Sequence, residues 1–421
     1  PSPRRVVRWQ NCAMGIRSKS SSEHFPLYGV KHCKYITLVG SGNFWYEKGV
    51  LRDDRSFSYK LFSVVLLSTY AVITVLEIMA ALLGELPDDE KSDSVTFAVS
   101  HTIVMIKILS IISKKELIKE LNEKMTKACE QYERPEHTKQ KYRVIKINVI
   151  AYFIGVYGCV VFFVFEGLRK MYTGSHFITI VSYYPDYEDD SLPAVCFRIL
   201  TTVVLVLMMC TMMVSVDALT VMYLIMYKYK FVTLRHYFDE LKEEFDRQSQ
   251  LGDIDAAADR LTNGLAEGIA MHQMLLGMAK DIDSAIGIVM AFQVCQSSGA
   301  AVSLLLQIAL SDQLTLTACM KIISFVAALF FLLAVYLCNA GEITYQASLL
   351  NNSIFYCGWY AFPAARANRR SARSLVLQAC MQAQRPPVMM AFKMIQLTYA
   401  TFVQVVRMTY SVFALFYTQR K

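Results

Sequence analysis

Residues 398–417 read TYATFVQVVRMTYSVFALFY, an apolar run strongly interrupted only by Gln404 and Arg407. At helical rise, such a run spans about 30 Å, the thickness of a bilayer's hydrocarbon layer. Four residues follow it, 418–421, so the side on which this helix ends is the side of the C-terminus. Working back from it, six more long apolar stretches appear, and the seven lie near 60–84, 94–113, 144–166, 194–227, 284–310, 315–338 and 388–418. The second is diluted by His101 and Lys107. The fourth exceeds one crossing and is expected to continue out of the bilayer. The seventh is expected to split into a short cytosolic or interfacial piece and a spanning piece.

Composition agrees: 54% hydrophobic residues, 19% charged residues and a mean hydropathy of +0.33 suit a membrane protein better than a soluble chain of 421 residues. The expected fold class is an all-α membrane protein with seven transmembrane helices. Lysine and arginine set its orientation. Segments 1–57, 114–143, 228–283 and 339–387 hold 10, 9, 7 and 5 of them, 31 in all, against 5 in 85–93, 167–192, 311–314 and 419–421 together. The basic set is expected in the cytosol. Glu85, Asp88, Asp89, Glu90 and Asp93 in one outside loop and Asp186, Glu188, Asp189 and Asp190 in another add acid to the opposite side. Seven crossings then leave the N-terminus cytosolic and the C-terminus extracellular, opposite to G-protein-coupled receptors.

The formal charge of +8 fits contact with anionic lipid at the cytoplasmic leaflet rather than nucleic acid. Of eleven cysteines, Cys12, Cys33, Cys129, Cys357 and Cys380 fall in segments expected in the reducing cytosol and the others in helices. Cys196 and Cys319, near outer helix ends, pair only if the fold joins them. The sequon Asn351-Asn352-Ser353 is expected inside and unused. The first 22 residues carry arginine and serine but no acid, as transit peptides do; they lack a signal-peptide apolar core, so the first spanning helix is the expected insertion signal.

Two basic segments carry helical periodicity. Phe231, Leu234, Phe238, Leu241 and Phe245 repeat at threes and fours, 248–253 (QSQLGD) breaks the pattern, and Ile254, Leu261, Leu265, Ile269, Met274 and Ile282 resume it. Residues 366–384 form a basic amphipathic helix stopped at Arg385-Pro386-Pro387. The expected organisation is a cytosolic N-terminal segment 1–57, helices one to four in 58–227, cytosolic extensions in 228–283, helices five and six in 284–338, anchor helices in 339–387, and the pore helix with a short external tail in 388–421. No enzyme constellation is present: Gly40-Ser41-Gly42 lacks the lysine and spacing of a phosphate loop, and the histidines lack metal-ligand spacing. No cofactor is expected. No inverted repeat of broken helices suggests a secondary transporter.

Gly341-Glu342-Ile343-Thr344-Tyr345, Tyr356-Cys357-Gly358-Trp359-Tyr360, Gln384-Arg385-Pro386-Pro387 and Thr409-Tyr410-Ser411-Val412-Phe413 follow one another in the order seen in insect odorant receptors. The chain resembles that family over its membrane domain, with sharp motifs in the C-terminal part. The co-receptor and gustatory receptors tend to place glutamine where Phe416 stands, and the co-receptor has a much longer fourth-to-fifth loop than 228–283. The resemblance therefore points to a ligand-tuned subunit, although the long segment before Tyr59 departs from that pattern.

The resemblance implies an odorant-gated, non-selective cation channel of the plasma membrane of olfactory sensory neurons. It would bind a small volatile apolar ligand and form a heterotetramer with the odorant receptor co-receptor around a pore built from last helices. Val406, Tyr410, Phe413 and Tyr417 share one face of that helix, either as an apolar constriction that closes by excluding water or as helix-packing surface. Register with the family makes Phe413, Phe416 and Tyr417 gate candidates. Arg407 is expected to pair with Asp217 or Glu77, or to snorkel.

The family's pocket lies between the second, third, fourth and sixth helices. The candidates are Phe97 and His101; Tyr157, Gly158, Val161 and Phe162; Thr201, Leu205, Met208, Met209 and Met212; and Ser324 and Phe325. Thioethers and rings suit loosely defined apolar ligands, while a methionine cluster also serves as lipid-facing or core filler. The competing readings are a gustatory-type homotetrameric cation channel and a membrane scaffold or transporter without ligand-evoked current.

Overall fold

The computed structural model describes residues 39–40, 57–84, 88–172, 191–310, 315–361 and 367–419. Readings placed on the rest of the N-terminal segment, on Glu85, on Asp186 to Asp190 and on Arg366, Arg420 and Lys421 lie outside the described residues, as do the side chains of Asp88, Asp89, Glu90 and Thr201. Nine helices of more than one turn occur among the described residues: α1 Phe57–Leu83, α2 Asp88–Ser113, α3 Lys115–Lys127, α4 Pro135–Tyr172, α5 Leu192–Gln250, α6 Ile254–Leu310, α7 Leu316–Phe355, α8 Ala367–Ala383 and α9 Tyr399–Gln419. Seven of them, α1, α2, α4, α5, α6, α7 and α9, are long and apolar enough to cross a membrane. The chain is a multi-pass, all-helical membrane protein.

The 59 residues of α5 extend about 88 Å, far more than the hydrocarbon thickness, and α6 with 57 residues matches it. The turn between them is set by Gly252, whose φ of +89° an L side chain rarely adopts. Asp253 then opens α6, its Oδ1 accepting from the Ala256 backbone nitrogen at 3.1 Å. Beyond the spanning parts, Phe231, Leu234, Phe238 and Phe245 of α5 are buried against Leu261, Leu265, Leu275 and Ile282 of α6. Met274, expected on that inner face, is 52% exposed, because Met271, Leu275 and Met278 hold the inward register instead. The short helices α3 and α8 pack against α6, and α8 also packs on α7, so the described basic segments gather at one end of the bundle.

The apolar stretch over 388–418 is expected to split into a short piece and a spanning piece, and it does divide, the short piece being a two-stranded hairpin. Pro386 and Pro387 remove two backbone donors. Met390–Ala391 then pairs antiparallel with Ile395–Gln396 through a turn in which Phe392 and Lys393 both have positive φ. The helix α9 begins only at Tyr399. The expected Cys196–Cys319 option is also absent, since the nine described cysteines are all free.

Glu133, between α3 and α4, ties three elements together at the basic end. Its carboxylate accepts from Lys141 of α4 at 2.7 Å and from Lys230 of α5 at 2.5 Å, while Lys230 also donates to the Ala128 carbonyl at 2.6 Å. Burial acts to raise the Glu133 carboxyl, and the Lys230 and Lys141 charges outweigh it, holding its pKa below the ordinary carboxylate value. The stability it adds is complete above the ordinary range near 4.3 and is lost as pH falls through the lowered folded value. Glu133→Gln should destabilise the purified protein by about 3–5 kcal/mol at neutral pH, by leaving two buried ammonium groups short of a counter-charge. The loss measured by thermal denaturation should shrink toward zero on acidification; a deficit independent of pH would contradict this account.

Candidate ligand cavity and pore helix

One face of α2 organises the middle of the bundle. Asp93, Phe97, Ser100, Val104 and Lys107 recur at three- and four-residue spacing, so they descend one helix face over about 21 Å. At its top, Asp93 accepts from Lys321 of α7 at 2.5 Å, and that ammonium also lies 5.3 Å from the centre of the Phe163 ring. Below the ion pair, Phe97, Phe163 and Phe325 form a mutual triad: Phe97 and Phe325 stack at 5.8 Å, and Phe163 meets both edge-on at 5.3 and 5.4 Å.

Under this aromatic roof lies a cavity of about 40 Å³. Its walls are the triad itself, Val156, Cys159 and Val160 of α4, Met209, Cys210 and Met213 of α5, and Ala328, Leu329 and Leu332 of α7. Ser100, Gln293 and Gln296 are the polar groups on its surface. The space is narrow, and it widens only as wall side chains such as Met209 and Met213 change rotamer. Unbranched thioethers do this at low cost.

The floor is a buried polar junction of five helices. Lys107 Nζ donates to both Asp217 carboxylate oxygens at 3.2 and 3.4 Å, to Gln296 Oε1 at 3.1 Å and to Gln293 Oε1. Tyr152 of α4 donates to Asp217 Oδ2 at 2.5 Å and Tyr336 of α7 to Oδ1 at 2.9 Å. Lys107 is 1% and Asp217 0% exposed. A buried ion pair is tolerated only when its remaining donors and acceptors are met, and here two phenols and two amides complete it. A second pair backs the α5 wall: His101 Nδ1 meets Glu77 of α1, and Nε2 lies against the Met209 sulfur. Asp217 and Glu77 are therefore both engaged elsewhere. The expected pairing of either with Arg407 does not occur, and Arg407 is exposed on α9.

Of the sequence candidates, Phe97, Met209 and Phe325 line the cavity, and His101 contacts its Met209 wall. On α4 the register is turned by one residue: Val156, Cys159, Val160 and Phe163 face in. Gly158 and Val161 are exposed, Phe162 is half-buried, and Tyr157 is turned toward Phe153 and the Thr211 hydroxyl. Leu205 and Met212 are buried outside the cavity, Met208 is half-buried against the core, and Ser324 donates to the Lys321 carbonyl. Gln293, Gln296 and Lys107 were missed as site residues. Their available signal was polar side chains three residues apart inside an apolar span, together with a lysine on the face that carries Phe97.

The family model for the 7tm odorant receptor matches residues 89–410. The chain belongs to that family. Its fold is similar to the insect olfactory receptor OR5 from Machilis hrabei, with a TM-score of 0.73 at 12% identity over 92% of this chain and 96% of that one. It is likewise similar to OR5 in complex with eugenol, with a TM-score of 0.73 at 11% identity over 94% and 98%. No curated protein matches. The protein is a membrane receptor and not an enzyme.

The receptor's motifs converge where α9 starts. Tyr399 donates to Glu342 Oε2 at 2.6 Å, and Thr344 donates to the Pro387 carbonyl at 3.0 Å. Gly341 allows this approach, since a Cβ there would meet Tyr399 Cδ2 at 3.0 Å and its backbone nitrogen at 3.2 Å. From that anchor α9 runs against α6 and α7 on one side. Thr409 is buried, whereas Val403, Met408, Tyr410, Leu415 and Tyr417 are 46–66% exposed. Of the gate candidates, Tyr410, Phe416 and Tyr417 are exposed, Val406 and Phe413 are half-buried, and the Phe413 and Tyr417 rings stack at 5.8 Å. Phe416 follows the register of Thr409, about 100° round the helix from Tyr417, yet is itself exposed.

Gly341→Ala in the receptor should cost about 1–3 kcal/mol in thermal or chemical denaturation, by overpacking the α7–α9 junction. Removing the ring with Tyr399→Ala in the same chain should restore part of that loss, a coupling that a double-mutant cycle measures. Strict additivity would show that the methyl is accommodated some other way.

Proposed function

We propose that this receptor is the ligand-tuned subunit of an odorant-gated, non-selective cation channel. The cavity between α2, α4, α5, α6 and α7 takes a small volatile ligand, and α9 contributes to a pore shared with the odorant receptor co-receptor in a heterotetramer. The apolar cavity carries the reading: three rings and two mobile thioethers, closed above by an ion pair, suit a neutral molecule with few polar groups. An OR5 receptor of the same fold has been solved with eugenol bound.

Two further features support the channel. The apolar surface of α9 is left open on most of its circumference, as a helix facing other subunits across an axis would be. The described basic segments gather at the end where α3, α8 and the extensions of α5, α6 and α7 meet, which supports a cytosolic position for that end and an external C-terminus. That end then acts as the anchor of the assembly, in the plasma membrane of an olfactory neuron.

Membrane currents recorded from cells expressing this chain with and without the co-receptor, against an odorant panel, test the proposal. Ligand-evoked cation current is expected only when both are present. Current from this chain alone would assign it to homotetrameric, gustatory-type channels, and silence in every combination would overturn the channel reading. In the responsive combination, Phe413→Ser should raise basal conductance, because a polar side chain favours the wetted state of an apolar constriction. Basal current and permeability equal to the parent's would place Phe413 in helix packing.

A further inference from the structure

The floor of the cavity has a chemical polarity that its apolar walls lack. Lysine donates hydrogen bonds and cannot accept them. The atoms that Lys107 touches on Gln293 and Gln296 are therefore the amide oxygens, at 3.1 Å for Gln296. This contact fixes both amides and turns their NH2 groups away from the lysine. On Gln293 that group is used, since Nε2 donates to Ser297 Oγ at 3.2 Å. On Gln296, Nε2 makes no hydrogen bond among the described residues, although the side chain is 4% exposed and lines the cavity. Ser100, the remaining polar lining group, has a hydroxyl that rotates to donate or accept and so does not discriminate.

We propose that Gln296 Nε2 is a fixed hydrogen-bond donor for the ligand, so that the cavity selects compact apolar molecules bearing an acceptor oxygen, such as ketones, aldehydes and esters, over hydrocarbons of the same shape. The donor is preorganised. Its amide is held by Lys107, which is held in turn by Asp217, a carboxylate itself fixed by the Tyr152 and Tyr336 hydroxyls. A hydrocarbon in the same place leaves that N–H without a partner in an apolar cavity, and an unmet buried donor is penalised more than a formed bond is rewarded.

The inference rests on the cavity being the ligand site, and the test separates the two. Acetophenone and 2-phenylpropene have nearly the same shape, with C=O in one where the other has C=CH2. Their affinities are read from ligand-dependent thermal stabilisation of the purified full chain. Acetophenone should bind the parent about tenfold more tightly. In Gln296→Met, which keeps the side chain's length and leaves Lys107 three acceptors for its three protons, the two affinities should become equal, as acetophenone loses its bond and 2-phenylpropene is relieved of the stranded N–H. Gln296→Leu provides the same comparison if the methionine variant is recovered poorly.

No preference in the parent, or a preference that persists in both variants, overturns the donor while leaving the cavity reading intact. Val160→Trp fills the cavity and should abolish binding of both molecules. Survival of binding in that variant, or binding of neither molecule by the parent, overturns the cavity reading and the donor with it.

Discussion

The ion pair between Lys107 and Asp217 is the constraint around which this receptor is arranged. Two charges inside an apolar bundle are costly, and the cost falls only when each lone pair and proton finds a partner. Meeting that demand takes Tyr152, Tyr336, Gln293 and Gln296, so α2, α4, α5, α6 and α7 are held in one register at one level. In lipid, apolar surface alone gives helices little reason to choose one neighbour over another. Hydrogen bonds between helices supply the choice.

The cavity is a consequence of that junction. With the five helices fixed at the level of Lys107, and α2 tied again to α7 through Asp93 and Lys321, the space between the two polar layers is filled by rings and sulfur. Aromatic faces lock the roof by mutual edge and stacked contacts, whereas Met209 and Met213 leave the α5 wall adjustable. The amides that line the cavity are fixed by Lys107 and belong to the floor.

At the other end, α9 is attached rather than embedded. Its first turn is fixed by Tyr399 on Gly341 and Glu342, and most of its apolar circumference stays open. The hairpin between Pro387 and Thr398 lies between this helix and the packed basic end, and Phe392 of its turn meets Phe292 of α6 edge-on at 5.5 Å. A rearrangement of the α5–α6–α7 core thus has a direct mechanical route to the start of α9 through α6 and α7.

Length and hydropathy were sufficient to find seven spanning helices, and the periodicity of Phe231 to Phe245 was sufficient to extend the fourth beyond the membrane, because these depend only on local composition and helical repeat. Pro386-Pro387 announced a break, yet the hairpin after it and the late start at Tyr399 depended on Phe392 and Lys393 adopting positive φ, which their side chains do not advertise. Phe97, Met209 and Phe325, picked out in the sequence, line the cavity. Inside an apolar span, however, every face looks alike, so nothing local distinguished Phe163 from Phe162 or Val160 from Val161. Only the tertiary structure decided which face of α4 turns inward and that Asp217 and Glu77 belong to Lys107 and His101 rather than to Arg407. Those choices are made by partners more than a hundred residues away in some cases, through hydrogen bonds that exist only once the helices have met.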